Sequence, residues 1–499
     1  AMLNIERTTL TLLKRFVRAG GRIISLGRLP TCVDGCPDAA SLAWLRASVI
    51  TPRDHDEAFE ILKSCGAVRQ TLTGQNTDAV RLMRRSRRDG DVLYMVNLDT
   101  ERTASFTLTT AGSTFRRLDM ETVREEHIPC TALDGNVSAD LTLAPKTSMI
   151  LQLDGAAPLP APTAIDRPTF TVTLPDTLTV TSMSENALTL DACEYRIDGG
   201  DWQPKKAVIR LGRELLELRR PCDVEMRFSF TVDCDPARLG GLSLVCETVE
   251  RLDVTLNGHK VVWNGKDRWL DASFCKCDVT GLVGRGENVV LIKARYFQRE
   301  EVYDVLFGED PMHAKKNKLT YDTELESIYL VGRFGVFCPE GFTSGERNAL
   351  FAPDHFVIRE APVSVRRGSL TEQGLTFFAG RVTLSFDADV PADAGRVLLS
   401  YRQRAAATHI TVNGRPVRNV LWAPYETDVT DFIHPGQNRI SVELVSGSRC
   451  LLGPHHYIDG ESYFVGPATF TDRGGWSDIG RGGQPIWRDD WCFVTFGIG

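Results

Sequence analysis

The sequence predicts a mainly β chain in which several β-sandwich domains follow a small, partial α/β segment. Three observations predict it. Apolar and polar residues alternate in short stretches from about Thr71 onward. A strand, hairpin, strand, turn, strand pattern occurs twice in the C-terminal half. A helix pattern and one short apolar run open the chain but do not continue into a βα succession.

At the N-terminus, Thr9–Ala19 places Leu10, Leu13, Phe16 and Val17 at helical spacing, and Gly20-Gly21 stops the helix. Arg22–Gly27 (RIISLG) suits a short buried parallel strand, and helical stretches follow near Ala39–Ala47 and Asp54–Cys65. One strand makes no sheet, so this segment is expected to borrow strands from a partner or to be the tail of a truncated domain. Next, Val92–Asn97, Ala104–Thr109, Leu141–Leu143 and Met149–Leu153 read as strands of a small antiparallel domain. Asp154–Pro168 is rich in Ala and Pro without periodicity and reads as a linker. The expected divisions are an α/β segment at 1–70, a β-domain at 71–154, a linker at 155–168, a β-rich connector at 169–220, and two sandwiches at 221–365 and 366–499.

The repeat carries the second half. Its first copy has Leu252–Val261 (LDVTLNGHKV), Asp278–Val283 (DVTGLV), Gly286-Glu287-Asn288 and the strand Val289–Lys293. Its second has Thr408–Val417 (THITVNGRPV), Asp428–Ile433 (DVTDFI), Gly436-Gln437-Asn438 and Arg439–Leu444. Asn-Gly after an alternating strand supplies a type I′ hairpin, whose two central residues both need positive φ. Asp-Val-Thr can cap backbone N–H groups at a short turn, and Gly-x-Asn releases the chain into the next strand.

With 499 residues the chain has room for three or four domains at roughly 150 residues each. No run approaches the ~18 apolar residues of a membrane helix. A net charge of −7 argues against a nucleic-acid surface. The one basic run, Arg84-Arg85-Ser86-Arg87-Arg88, precedes Asp89-Gly90 and reads as a solvated hairpin tip. The 13 cysteines are scattered, without CxxC metal spacing or a secreted framework, and Ala1–Gly21 does not read as a signal peptide. A cytoplasmic setting with reduced thiols is expected; in a fragment, a missing signal would say nothing.

The doubled signature, Φ-x-Φ-N-G-x-x-V followed by D-V-T-x-Φ-Φ-x-x-G-x-N, resembles the galactose-binding-like jelly roll of the sugar-binding domains in family-2 glycoside hydrolases. The likeness covers about Pro221–Phe337 and Leu370–Gly499. The wider arrangement looks like the C-terminal, non-barrel part of large bacterial α-L-rhamnosidase-like glycoside hydrolases of the family-106 type. Leu12–Gly35, Val92–Leu153, Leu188–Trp202 (LTLDACEYRIDGGDW) and Leu319–Val336 (LTYDTELESIYLVGRFGV) are similar to its segments. In such enzymes the catalytic carboxylates lie at the C-terminal ends of barrel strands. No eightfold βα succession exists here, so no catalytic residue carries over.

Glycosidases need two carboxyl groups, one of them protonated. The acidic stretch Glu300, Glu301, Asp304, Glu309, Asp310, Asp322, Glu324 and Glu326 is interleaved with Lys315, Lys316 and Lys318. It reads first as a charged loop, then as a calcium site; catalysis comes last. Leu452–Trp491 combines aromatic with charged and amide-like groups, the ingredients of sugar recognition. The candidate sugar-binding residues are Trp422, His455, His456, Tyr457, Glu461, Trp487, Arg488 and Asp489. The plainer alternative is that Trp487 and Trp491 cover the last sandwich and Arg488 pairs with Asp489 or Asp490. His455-His456 with Glu461 lacks a third well-spaced ligand, so no transition metal is expected; a structural calcium stays open.

These readings imply an accessory, carbohydrate-binding or structural C-terminal region of a glycoside hydrolase acting on plant-type glycans such as rhamnose-containing polysaccharides. Its expected partners are carbohydrate and either a missing catalytic domain or further copies of the chain. Two alternatives stand beside it. One is a complete hydrolase working between the jelly rolls through Asp459, Glu461, Asp489 or Asp490; the other is a scaffold that binds nothing.

Overall fold

The computed structural model describes residues 2–66, 70–88, 90–120, 125–154, 168–308, 315, 318–463, 465–471 and 485–499. The chain is mainly β and forms two compact units, Ala1–Ala164 and Ile165–Gly499.

The first unit opens with helices Arg7–Arg18, Ala39–Ser48 and His55–Ser64. Asp38 and Asp54 cap the second and third by accepting from Ser41 and Glu57 N–H. Expectation and structure part at two places. The run Arg22–Gly27 contributes only Ile23–Ile24, half-buried and paired in parallel with Val49–Ile50. Phe16 lies outside the buried stripe and is exposed, its ring covering Gly21, where an added Cβ would clash with it. The small core is Ile5, Leu10, Val33, Leu42 and Leu45.

The antiparallel part of this unit has a five-stranded and a four-stranded sheet. Gly90–Asn97, Ala104–Ala111, Asn136–Leu143 and Ser148–Asp154 are the strands foreseen, each with alternate residues such as Leu93, Met95, Phe106, Leu108 and Leu151 turned into one core. The basic run ends strand Val80–Arg87, where Arg87 faces Gly90. Asp89 and the linker residues 155–167 lie outside the described residues.

The second unit contains two sandwiches. In the first, Cys222–Val232 pairs with Gly286–Tyr296 and Ala192–Ile197 at the centre of one sheet. The facing sheet runs Asn186–Leu190, Ile328–Gly332, Leu242–Cys246, Asp271–Asp278, Arg268–Trp269. Phe228, Leu244, Val290 and Leu330 fill the space between them. In the second, Thr177–Met183, Arg381–Val390, Gly436–Val445, Ala407–Val412 and Arg415–Val420 lie side by side, and Thr169–Thr173, Arg396–Ser400 and Glu426–Asp428 help close the core.

The stretch 169–220, expected as a connector, divides between the two. Thr169–Thr173 pairs with Arg396–Ser400 and Thr177–Met183 with Arg381–Val390, so both belong to the second sandwich. Asn186–Leu190 onward belongs to the first. Ser364–Arg366, placed at the end of the first sandwich by sequence, pairs with Thr177–Met183. The first sandwich is therefore nested within the second. Local strand patterns cannot show this, because the pairings join residues about 200 positions apart.

The repeat is reproduced atom for atom in its polar skeleton. Asn257 and Asn413 have φ of 51° and 49°, and Gly258 and Gly414 follow at 81° and 77°. Asn257 Nδ2 donates to Leu282 O at 2.9 Å and Asn288 Oδ1 at 2.8 Å; Asn413 Nδ2 donates to Phe432 O at 3.0 Å and Asn438 Oδ1 at 2.8 Å. Each also accepts from the N–H of the returning strand, Val289 or Arg439. Thr280 and Thr430 accept from Leu242 and Val397 N–H while donating to Asp278 and Asp428. Asn257→Ala and Asn413→Ala should each cost about 1–3 kcal/mol in urea denaturation, because the partners left behind are partly buried. A cost near zero in either copy would show that the network there is ornamental.

Candidate functional site

The candidate site lies on the first sandwich and begins at one carboxylate. Asp191 sits at the step between strands Asn186–Leu190 and Ala192–Ile197. Its carbonyl accepts from Val208 N–H at 2.7 Å, at the start of helix Val208–Glu217. Its Oδ2 lies 2.8 Å from His456 Nε2, across 265 positions of sequence. His456 comes in on a short antiparallel ribbon: Ile458 N–H donates to Ile486 O at 2.8 Å, Arg488 N–H donates to His456 O at 2.9 Å, and Tyr457 faces Trp487.

The imidazole of His456 is fixed on every side. It stacks on Trp487 with centroids 4.4 Å apart and planes 18° apart. Its Nδ1 lies 3.0 Å from Arg488 O. Both ring nitrogens face acceptors, an arrangement that favours the doubly protonated imidazolium beside the Asp191 carboxylate. Burial works to lower its pKa, but the Asp191 hydrogen bond and charge, with the Arg488 and Asp490 carbonyls, outweigh burial and raise it. His455 is the opposite case. Packed among Phe377, Trp491 and Phe493, it is pushed down to about 3 by burial, with Nε2 donating to Cys450 O at 3.0 Å.

Beside this pair is a cleft of about 250 Å³, lined by Asp191, Glu326, Tyr329, His456, Phe470 and Trp487 among others. Glu326 precedes strand Ile328–Gly332. Crowding by the cleft walls, then the Glu247 and Glu324 carboxylates, pushes its carboxyl up to about 7. The side chain still opens to solvent, so water screens part of this effect. The arrangement offers an ion pair held in place, an aromatic surface and a carboxyl group able to donate or accept near neutral pH. Such a set orients hydroxyl groups against a flat apolar ring face.

The structure brings His455, His456, Tyr457, Trp487, Arg488 and Asp489 together, though not all toward the cleft. Asp489 accepts from Trp487 Nε1 at 3.2 Å. Arg488 pairs with Asp490 at 2.8 Å, its guanidinium 3.6 Å from the Phe351 ring centroid. Glu461 is engaged by Arg449 at 2.7 Å. These contacts engage Glu461, Arg488 and Asp489 with neighbouring side chains of the same unit. Trp422 follows the outer strand Arg415–Val420 of the second sandwich and is 44% exposed, and no described contact joins it to the cleft. Trp269 packs with Phe274 and Tyr329, and Trp263 against the first core. Trp476, Glu309, Asp310, Lys316 and Gly480–Gly483 lie outside the described residues. Among the described residues no group of three His, Cys, Asp or Glu side chains is placed to hold a metal ion. Among them, too, no helix is long and apolar enough to cross a membrane.

No family model matches this chain, and no curated protein does. Solved structures do. A rhamnosidase from Novosphingobium sp. PP1Y is similar at 17% identity over 66% of this chain and 33% of its own length, with a TM-score of 0.25. The α-L-rhamnosidase of Streptomyces avermitilis complexed with L-rhamnose is similar at 10% identity over 75% of this chain and 36% of its own, with a TM-score of 0.24. A Faecalibacterium prausnitzii β-glucuronidase is similar at 13% identity over 50% and 41%, with a TM-score of 0.21. The chain thus spans about a third of the two rhamnosidases. None of the activities named passes to it on that likeness.

Sequence reasoning missed Asp191 altogether and met Glu326 only as one acid in a charged run. Asp191 had no local signal: it sits within LTLDACEY, and its partner is hundreds of residues away.

Proposed function

We propose that the second unit is the carbohydrate-engaging accessory part of a glycoside hydrolase, with the Asp191–His456 cleft as its sugar site. The observation that carries this reading is the convergence of a locked carboxylate–imidazolium pair, the Trp487 ring and the protonatable Glu326 in one cleft. The doubled skeleton around Asn257 and Asn413 supports two galactose-binding-like jelly rolls, and the sequence resemblance names rhamnose-containing glycans as the first to try. Leu12, Phe16, Leu26 and Phe59 are exposed on the α/β segment and support a covering partner there, a catalytic domain or a further copy.

Calorimetric titration with L-rhamnose, rhamnose-containing oligosaccharides and D-galactose tests the reading. Wild type should bind at least one of them, and Glu326→Ala should weaken binding about tenfold, or about 1.4 kcal/mol. Trp422→Ala should leave affinity unchanged. No heat with any glycan would leave the scaffold reading standing. A second reading rests on the raised Glu326 carboxyl, the property of a general acid. Release of phenol from aryl rhamnosides or galactosides, lost in Glu326→Gln, would establish it in place of binding alone.

A further inference from the structure

Helix Val208–Glu217 is apolar on two faces. Val208, Leu211 and Leu215 are buried in the first core. Ile209 and Leu216, with Gly212 and Arg213 between them at the same helical spacing, line a second cavity, Leu216 also packing against the first core. Ile209 is 45% exposed, so core packing does not explain it. Across from it, helix Glu300–Phe307 contributes Leu306 and Phe307. With Leu325 and Tyr321 these make a largely apolar chamber of about 560 Å³. Chamber and polar cleft share Ile209, Leu325 and Glu326 in their walls, so the two lie side by side with Glu326 bordering both.

We infer that the ligand is an amphiphilic glycoside, its sugar in the polar cleft and an apolar aglycone in the chamber. This rests on the sugar reading of the cleft. The cleft alone, at about 250 Å³, falls below the roughly 300–1,000 Å³ usual for small-molecule sites, whereas the adjoining chamber, at about 560 Å³, falls within it. The chamber is too small for a protein partner's face, yet its lining suits an alkyl or aromatic group. An unmodified polysaccharide would leave Ile209, Leu306 and Phe307 wet, whereas an aglycone removes that surface from water.

Titrations of methyl, butyl and hexyl α-L-rhamnosides and β-D-galactosides, all as monomers, test this. Hexyl glycoside should bind at least tenfold more tightly than methyl glycoside of the preferred sugar. Leu306→Asn, at a half-buried position that lines the chamber and not the cleft, should remove that gain and leave the methyl glycoside's affinity unchanged. If methyl glycoside binds and affinity does not rise with chain length, the amphiphilic ligand is excluded while the sugar cleft survives. If hexanol binds as well as hexyl glycoside and methyl glycosides do not bind, the sugar reading itself fails. Binding of none of these compounds overturns both.

Discussion

Replacing Trp491 by alanine is expected to cost about 3–5 kcal/mol of stability. Only 2% of this residue is exposed, although just eight residues follow it in the sequence. Strand Trp491–Val494 pairs with Ala349–Ala352 and delivers the indole into the core of the first sandwich. There it meets Phe356 and Phe377 edge-on, with centroids 5.5 and 5.1 Å away, and lies parallel to Phe493 at 5.9 Å. Nε1 donates to Asp354 at 3.0 Å. Alanine leaves a cavity among rigid rings that cannot collapse into it. Trp491→Phe should recover most of that loss and retain a deficit of about 1 kcal/mol for the missing hydrogen bond. Urea denaturation of the three proteins measures both steps. A cost below 1 kcal/mol for alanine would mean that the C-terminal strand is dispensable to the core.

The second large effect is at His456. The ion pair with Asp191 is nearly closed to solvent, with 9% and 14% of the two side chains exposed. His456→Ala leaves the carboxylate without its partner and should cost about 3–5 kcal/mol, whereas Asp191→Asn combined with His456→Gln should cost less than the two changes summed. The adjacent histidines also set a pH window. The His456 pKa is raised above its unfolded value, so its contribution is full below about 6.5 and is lost as pH climbs through the folded value. His455 is held neutral, with its pKa down at about 3; its contribution is present above about 6.5 and falls as the medium acidifies toward 3, at about 1.4 kcal/mol per pH unit. Thermal denaturation across pH should show maximal stability near neutrality, and His455→Leu should flatten the acid limb. An unchanged acid limb in that variant would assign the acid sensitivity elsewhere.

How far the fold could be read from sequence depended on distance along the chain. Asn257-Gly258, Asp278-Val279-Thr280 and Gly286-Glu287-Asn288 are local devices, each written in adjacent residues, and their twins at Asn413, Asp428 and Gly436 turned three weak signals into one strong one. Composition around Leu452–Trp491 singled out a segment rich in aromatic and charged groups. It could not say which were spoken for. Glu461 looks like a binding carboxylate until Arg449 is seen beside it, and the partners of His456 and Glu326 come from other strands. The division of 169–220 was hidden for the same reason: an alternating strand states which face is buried, not which strand will lie next to it.

That nesting has a consequence for synthesis on the ribosome. Thr181 bonds to Thr383, 202 positions later, so the early strands of the outer sandwich emerge long before their neighbours exist. At translation rates of about 5–20 residues per second, those edges stay open for roughly 10–40 seconds while the inner sandwich is made. They are then a natural place for a chaperone to bind, or for two nascent chains to zip together by mistake.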